Sequence, residues 1–456
     1  MADPARAAAS APADNLVFKE TAELLRLAGP VVGSRLGIMA MGLTDTLVVG
    51  RFSADQLGLQ SLAWAPSSVV LMVALGLLGG VQVMTARAVG RGAPEETGVV
   101  LRRGVAYAAW LSLAAAVVLF FGGPLFLQHI GMGAVLAAGA TPVLQVFALS
   151  MPGAIVSVAG SAWLEGHGRP GPAMVMMWLA NVVNLGLVLL LVPGSFGLPA
   201  MGAVGAAWGT VGARSVLALA TLGYIALLKD ARSFGVFQSH APDRPAAREQ
   251  RRLGYGGAAS NFFEIAAFAG MNIIAGWVSS LTVAGYAIVL NVVSIVFMIP
   301  LGLATATAVL VARAYGARDG EGVRRTAWIG IGLTFAFGAL ASLVVWLAAG
   351  PIVSIYTSDA AAIALTIPGL VLATLFMPPD AMQVVTAQAL RARGDVWLPS
   401  FTHMMSYAVF MLPLGWWLAV PQGLGLNGLV WAITAASYLS AGLLGARMLM
   451  LGRRVP

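Results

Sequence analysis

The sequence predicts an all-α integral membrane protein whose 12 transmembrane helices form two pseudo-symmetric six-helix bundles. Three observations predict this fold. Of the 456 residues, 59% are hydrophobic and only 10% are charged, whereas about 25% are charged in an ordinary soluble domain. Twelve long apolar stretches follow one another, and the two halves of the chain share short identities at one offset. Because no soluble fold of this length buries so much apolar surface, lipid must be the solvent for most of it.

Each apolar stretch has the roughly 20 residues that a helix needs to cross the hydrocarbon layer. Charged or Gly/Pro-rich connectors separate the stretches. The spans are predicted at 26–50, 57–85, 100–122, 136–163, 172–193, 203–228, 255–280, 284–312, 326–350, 360–390, 397–420 and 426–450.

The basic residues predict which way the chain faces. With twelve spans, 23 of the 26 lysines and arginines lie in connectors or near span ends on one side, Arg51 lies on the other, and Arg35 and Arg214 lie well within spans. Basic connectors are typical of the cytoplasmic side, so we expect an inner-membrane protein with both termini in the cytoplasm. This topology explains the net charge of +8 without nucleic-acid binding.

The positions of the spans and of the basic residues also divide the chain into four segments. We predict a disordered cytoplasmic tail over 1–19, a first six-helix lobe over 20–228, a charged cytoplasmic linker over 229–254 and a second lobe over 255–456. The Ala- and Pro-rich start lacks the basic and apolar stretches of a secretory signal.

The two predicted lobes are related by an offset of 226 residues. At this offset Ala-Arg-Ala-Val-Gly at 86–90 aligns with Ala-Arg-Ala-Tyr-Gly at 312–316, and Met151-Pro152 aligns with Met377-Pro378. Six spans per lobe make the repeats parallel, and parallel repeats are typical of transporters that bind substrate between their halves.

Three acids lie well inside predicted spans, where a charge costs at least about 2.5–3.5 kcal/mol on insertion scales. They are Asp45, Glu264 and Asp380. Asp45 is either a carboxylate that reaches interfacial water or a cation or proton site of the first lobe. Ser260 and Asn261 share a helix face with Glu264, which indicates either a static polar contact between helices or a carboxyl that gains and loses charge.

Asp380 follows Pro378 and Pro379, two residues that remove backbone donors and must bend or break the tenth span. The freed carbonyls, the carboxylate and Gln383 on the same face would suit a small cation, with a proline kink and a hydrated aspartate as the alternative.

Other polar residues within spans have ordinary structural explanations. Asn181 and Asn184 are typical of interhelical hydrogen bonds, with cation coordination as the alternative. Arg35 and Arg214 are expected to be salt-bridged or to extend toward the interface, and His403 to be packed or interfacial.

No feature of the sequence predicts catalysis. The chain has no cysteine, no phosphate-binding Gly-Lys-Ser/Thr loop and no cluster of catalytic side chains. We therefore expect a protein that is not an enzyme and needs no cofactor. The glycine-rich run 76–80 lies inside a span and predicts close helix packing.

Several runs resemble motifs of the multidrug and toxic compound extrusion (MATE) family, over nearly the whole chain after residue 20. Met-Gly-Leu-Thr-Asp-Thr at 41–46 resembles its first-helix motif, and Pro-Ala-Met-Val at 172–175 with Asn184 resembles its fifth-helix signature. Glu264 after two phenylalanines and Asp380 before Ala-Met-Gln-Val-Val resemble the acidic pair of the NorM-like branch.

This resemblance implies a V-shaped pair of bundles that exports organic cations by alternating access in exchange for inward H⁺ or Na⁺. It implies that Glu264, Asp380 and Asp45 couple the ion, with Glu264 and Asp380 as the ligands if the ion is Na⁺. Sodium-coupled members carry a tyrosine where this chain has Phe376, which favours H⁺. The residues expected at the substrate cavity are Asn184, Asn181, Gln383, Asn261, Ser260, Phe376 and Met377.

The sequence thus predicts a secondary active exporter of small organic cations or drugs, surrounded by membrane lipid and functional as a monomer. A flippase for lipid-linked precursors is the alternative within the same superfamily, although Arg35 and Arg214 are few basic residues for a diphosphate. A membrane-embedded enzyme or a scaffold is the alternative from another class.

Overall fold

The structure, a computed structural model, describes residues 13–129, 134–238 and 243–452. These residues are almost entirely helical. Ten of their helices are long and apolar enough to cross a membrane, and one bent pair passes the same test if its two helices are counted as one span. The predicted span 397–420 corresponds to a helical run that is interrupted by a π-helical stretch. The all-helical membrane fold is therefore confirmed, and its helix count is roughly consistent with the predicted twelve.

We number the twelve helical stretches that correspond to the predicted spans α1 to α12. They are α1 (Ala13–Phe52), α2 (Ala54–Gly90), α3 (Pro94–His129), α4 (Ala134–Gly166), α5 (Pro170–Leu191), α6 (Gly202–Leu227), α7 (Arg244–Val278), α8 (Ser280–Gly316), α9 (Gly320–Leu347), α10 (Ala360–Ala373 and Met377–Ala392), α11 (Trp397–Ala419) and α12 (Gly425–Leu451). A short helix, Ala349–Tyr356, precedes α10.

Two helices begin within segments that the sequence assigned to a tail and a linker. Helix α1 begins at Ala13, so the end of the predicted tail is helical, while residues 1–12 lie outside the described residues. Helix α7 begins at Arg244, inside the predicted linker, whose residues 239–242 also lie outside the described part. Both helices extend beyond their apolar windows because polar residues continue a helix without difficulty once it leaves the hydrocarbon.

Helix α10 breaks where the prolines predicted a bend. Its two segments meet at 49°, and Pro378 and Pro379 open the second segment, where a helix does not use their missing N–H groups. The Ser342 hydroxyl donates to the carbonyl oxygen of Thr374 at the break, at 2.8 Å. The break places Asp380 in the first turn of the second segment.

The chain packs into two compact units. One unit comprises residues 33–262, and the other comprises the described parts of 1–32 and 263–456. We call them the first and second unit. The boundaries fall inside α1, between Val32 and Gly33, and inside α7, between Phe262 and Phe263.

Each unit has its own apolar core. Trp163 and Phe147 are the largest fully buried side chains of the first core, whereas Tyr286, Tyr407 and Phe376 are the largest of the second. The tyrosines of the second core bring hydroxyl groups into an otherwise apolar interior, and these hydroxyls need partners.

Candidate functional site

The second unit holds a polar cluster around Asp380. Its carboxylate is buried, and Oδ1 accepts hydrogen bonds from the Tyr407 hydroxyl at 3.2 Å, from Nε2 of Gln383 at 3.5 Å and from Oγ of Ser437 at 3.5 Å. These donors come from α10, α11 and α12. These three donors are neutral, and no cation of the described residues pairs with the carboxylate, which leaves its charge available to a proton or a small cation.

Glu264 lies near this cluster on α7. Its Oε2 is 3.9 Å from Nδ1 of His403, which is buried and makes no hydrogen bond to any described residue through either ring nitrogen. The Glu264 carboxylate also interacts electrostatically with Asp380, which repels it, and with Arg391, which attracts it. Two acids that repel each other beside one guanidinium group form a site that gains stability when it takes up one more positive charge.

Two residues of this cluster were missed or misplaced by the sequence analysis, and a third was placed correctly. Arg391 was counted in a cytoplasmic connector, but it lies in the second segment of α10 and is buried. His403 was expected to be packed or interfacial; it is packed, and it also faces Glu264. Tyr407 was not predicted because nothing local in the sequence of α11 points to α10.

Tyr407 bears on the expectation for Phe376, whose lack of a hydroxyl favoured H⁺ over Na⁺ in the sequence analysis. Phe376 has no hydroxyl, and its ring is buried in the apolar core of the second unit, as is Met377. The sequence predicted that no tyrosine hydroxyl would lie beside Asp380. Tyr407, which comes from a different helix, places one there. A tyrosine hydroxyl therefore lies beside Asp380 although position 376 is a phenylalanine.

Ser260 and Asn261 belong to the first unit, whereas Glu264 belongs to the second. Ser260 is buried, and Nδ2 of Asn261 donates to the carbonyl oxygen of Met72 on α2 at 3.1 Å. The Asn261 amide group thus holds two helices of its own unit together.

The first unit holds a second polar cluster, around Asp45. Oδ2 of Asp45 accepts a hydrogen bond from Thr210 at 2.8 Å, and Asn184 and Arg214 lie close enough to act on the same carboxylate. All four side chains are buried. Oδ1 of Asp45 and both polar atoms of Asn184 make no hydrogen bond to the described residues. Buried polar atoms without partners are costly, which indicates a place for water, a proton or a small cation.

Asn181 lies one turn before Asn184 on α5. Its Nδ2 donates to the carbonyl oxygens of Gly37 on α1, at 3.0 Å, and of Met177, at 2.8 Å. Oδ1 of Asn181 has no hydrogen bond to a described residue. The expected interhelical hydrogen bond is therefore present, and the amide oxygen remains free to accept.

The two arginines within spans have partners. Nη2 of Arg35 lies 3.8 Å from Oε1 of the buried Glu165, which also accepts a hydrogen bond from Gln82 at 3.2 Å. Nη1 of Arg214 donates to the Ser150 hydroxyl at 2.7 Å, and its guanidinium carbon lies 5.4 Å from the centre of the Trp64 ring. The expectation of a salt bridge is confirmed for Arg35, whereas a hydroxyl and an aromatic face hold Arg214.

The 226-residue offset relates the acid of one unit to the base of the other. It aligns Glu165 on α4 with Arg391 on α10. In the first unit α1 supplies the base, Arg35, and in the second unit α7 supplies the acid, Glu264. The equivalent helix pairs are α1 with α4 and α7 with α10. In the first pair α1 carries the base and α4 the acid, whereas in the second pair α7 carries the acid and α10 the base. The sequence contained this signal, but it was missed because both residues lie just outside the predicted spans 136–163 and 360–390.

A metal site of the common kind is not present in the part of the chain that the structure describes. No three side chains of His, Cys, Asp or Glu are placed there so that they could hold a metal ion together. A sodium ion at Glu264 and Asp380 would therefore need hydroxyl or amide oxygens as its other ligands. Tyr407, Ser437 and the unpaired Oε1 of Gln383 are such groups.

The repeated bundles and the buried ionisable clusters define a polytopic helical membrane transporter. The sequence profile of the MatE family matches residues 30–190 and again 258–417. The chain belongs to this family of transporters and is not an enzyme. The two matches agree with the internal repeat that the 226-residue offset indicated.

Curated relatives cover almost the entire chain. A protein of Caulobacter vibrioides, named as a probable multidrug resistance protein NorM, is 57% identical over 438 residues, which cover 96% of this chain and 93% of the relative. A protein of the same name from Burkholderia pseudomallei is 32% identical over 457 residues, with 98% and 94% covered.

Solved structures share the fold. One, described as the outward-facing conformation of a multidrug resistance MATE family transporter of the MOP superfamily, matches with a TM-score of 0.88 at 20% identity and covers 96% of this chain and 97% of that chain. The family resemblance and the helical membrane fold predicted from the sequence are thereby confirmed.

Proposed function

We propose that the protein is a multidrug exporter that moves small organic cations out of the cell in exchange for an inward coupling ion. The name of the Caulobacter vibrioides relative supports the multidrug assignment. The polar cluster of the second unit carries the proposal of ion coupling, because the half-buried Glu264 lies near the buried Asp380, and Arg391 is the cationic side chain among the described residues that acts on Glu264.

The coupling step follows from this imbalance of charge. When no ion is bound, the two carboxylates repel each other and favour a cationic substrate nearby. Uptake of an ion removes that net charge and favours the state that releases the substrate. A membrane potential of about 100 mV supplies roughly 2.3 kcal/mol for each elementary charge that moves inward.

We propose H⁺ as the coupling ion, with Na⁺ as the alternative. A proton needs only one carboxylate oxygen, whereas sodium needs a set of oxygen ligands around one centre. The cluster around Asp45 is proposed as the ion or substrate site of the first unit, with Asn184 beside it. Asn181, Gln383, Ser260, Asn261, Phe376 and Met377 remain proposed cavity residues.

The flippase alternative receives little support from the buried arginines. A site for a diphosphate needs basic side chains that are free to bind it. Arg35 already pairs with Glu165, and Arg214 already contacts Ser150 and Trp64. We therefore propose an exporter of the inner membrane that works by alternating access as a monomer, with both termini in the cytoplasm.

The test is gradient-driven efflux of a cationic dye from membrane vesicles, with pH and sodium gradients imposed separately. Glu264→Gln and Asp380→Asn are expected to abolish the gradient-dependent component at equal expression, because each removes an ionisable group of the cluster. Glu321→Gln is the control, since Glu321 is a half-exposed acid that pairs with Arg324 at the start of α9. Undiminished, ion-dependent efflux in both cluster variants would end the coupling proposal.

A further inference from the structure

A groove in the first unit lies outside both polar clusters. It has a volume of about 270 Å³ and lies between α2, α3 and the first turns of α7. The side chains that line it combine two arginines with aromatic and aliphatic surface: Leu77, Val81, Arg103, Ala106, Tyr107, Trp110, Ala247, Gln250 and Arg251.

The groove carries positive charge that the described residues leave largely unbalanced. Arg251 forms no ion pair with any described residue, and its charge acts on the Tyr107 side chain. Arg103 has one acidic neighbour, Asp243, at 3.9 Å, and that carboxylate is half-exposed to solvent. Such a distant and solvated acid offsets little of the arginine charge. Two guanidinium groups at one opening suit an anion with several oxygens.

A buried amide adds an acceptor to the same groove. Gln250 is 6% exposed, and its Nε2 donates to the carbonyl oxygen of Val100 at 3.2 Å. Its Oε1 accepts no hydrogen bond from the described residues. A buried acceptor without a partner indicates that a donor is missing beside it.

The remaining lining is apolar and extends toward the lipid. The Trp110 side chain is 73% exposed on α3, and Leu77, Val81 and Ala106 complete the surface between the helices. Tryptophan and tyrosine beside arginine are typical of the boundary between hydrocarbon and headgroups. The arginine-rich connectors predict that this boundary lies on the cytoplasmic side.

We propose that the groove binds the headgroup of an anionic glycerophospholipid such as phosphatidylglycerol. Arg103 and Arg251 bind the phosphate oxygens, and the unpaired Oε1 of Gln250 accepts from a hydroxyl of the glycerol headgroup. The upper part of an acyl chain packs on Trp110 and the aliphatic side chains. Phosphatidylcholine has the phosphate but also a fixed positive charge and no hydroxyl donor, so the groove discriminates against it.

The experiment measures thermal unfolding of the purified full chain in detergent micelles that contain increasing phosphatidylglycerol, phosphatidylcholine or soluble glycerol 3-phosphate. Phosphatidylglycerol is expected to raise the unfolding midpoint of the wild type. Arg103→Gln/Arg251→Gln is expected to weaken its apparent affinity by about fivefold per arginine, the effect of one basic residue beside an anionic lipid. Lys229→Gln/Arg232→Gln, which removes two exposed charges of the first unit outside the groove, is expected to respond like the wild type.

Every other outcome of this experiment either supports the lipid site or overturns it. Equal stabilisation by phosphatidylcholine, or an unchanged response of the Arg103→Gln/Arg251→Gln variant, would overturn it. Stabilisation by glycerol 3-phosphate to the same extent would identify a soluble-anion site instead of a lipid site. If the double variant does not fold, Arg251→Gln alone decides, because Arg251 is exposed and removing it breaks no ion pair among the described residues. A fivefold loss supports the lipid site, and no loss rejects it.

Discussion

At the scale of single residues, Asp380 has a carboxylate whose hydrogen-bond donors all come from side chains. Tyr407, Gln383 and Ser437 reach the same oxygen from three helices. None of these donors carries a charge, so the carboxylate keeps its own charge until an ion arrives. The strength of this hydrogen bonding therefore determines how readily the site accepts an ion.

Replacing Tyr407 with phenylalanine tests this dependence. The variant loses a hydrogen bond to a charged group, worth about 1.5–3 kcal/mol, so ion-driven efflux is expected to fall about tenfold or more. Tyr286→Phe is the matched control, because Tyr286 is equally buried in the same core but donates to the backbone carbonyl oxygen of Phe268 at 3.3 Å. Initial rates of dye efflux, measured at equal expression, check the difference. Equal rates in the two variants would contradict the role of Tyr407.

Local sequence predicted the acids but not their partners. Asp45, Glu264 and Asp380 stand out because charge is rare within apolar spans. Thr210, Tyr407 and Ser437 are ordinary polar residues of helices, and they become partners only when distant helices pack together. Arg391 was misplaced for a related reason, since an arginine near the end of a span resembles a connector residue until its burial is known.

At the scale of helices, glycines of α2 bring this helix against α7. A Cβ atom on Gly76 would lie 2.5 Å from Cα of Ala258, and one on Gly80 would overlap the carbonyl oxygen of Gln250. The close packing that the run 76–80 predicted is therefore confirmed at these two positions. A Cβ on Gly79 would meet nothing within 4 Å.

The two adjacent glycines give a matched pair of variants. Gly80→Ala forces α2 and α7 apart at a backbone contact and is expected to destabilise the protein by about 3 kcal/mol, the upper end for overpacking. Gly79→Ala adds a methyl group in open space and is expected to be neutral or to stabilise the helix by up to about 1 kcal/mol. Unfolding by heat or denaturant in detergent measures both effects. Similar losses in the two variants would contradict the packing argument.

The helix pairs of the two units also show how the repeats have diverged. The shared scaffold was predictable because the offset preserves glycines and prolines that set helix packing and bends. Glu165 and Arg391 exchange acid for base at aligned positions, and their partner helices exchange charge as well. An exchange of both partners keeps each pair attractive, whereas an exchange of one would leave a buried charge uncompensated. The sequence therefore predicts the scaffold of the repeat better than the chemistry of each unit.

At the scale of the whole molecule, the direction of the chain depends on the number of crossings. The basic connectors predict that Arg232, after α6, is cytoplasmic, and that Ser358, before α10, is external. Gln422, between α11 and α12, is external only if the bent α10 and the π-helical α11 each cross the membrane once. These two spans are the least regular of the twelve, so Gln422 is the most informative position.

The chain contains no cysteine, so single cysteines report accessibility without background. Arg232, Ser358 and Gln422 are exposed in the structure, and substitution there leaves both cores intact. We expect Ser358→Cys and Gln422→Cys to react with a membrane-impermeant maleimide in intact spheroplasts, and Arg232→Cys to react only after permeabilisation. If Gln422→Cys behaved like Arg232→Cys, either α10 or α11 would be re-entrant. The distribution of arginines would then no longer support cytoplasmic termini at both ends, because the alternation of sides requires twelve crossings.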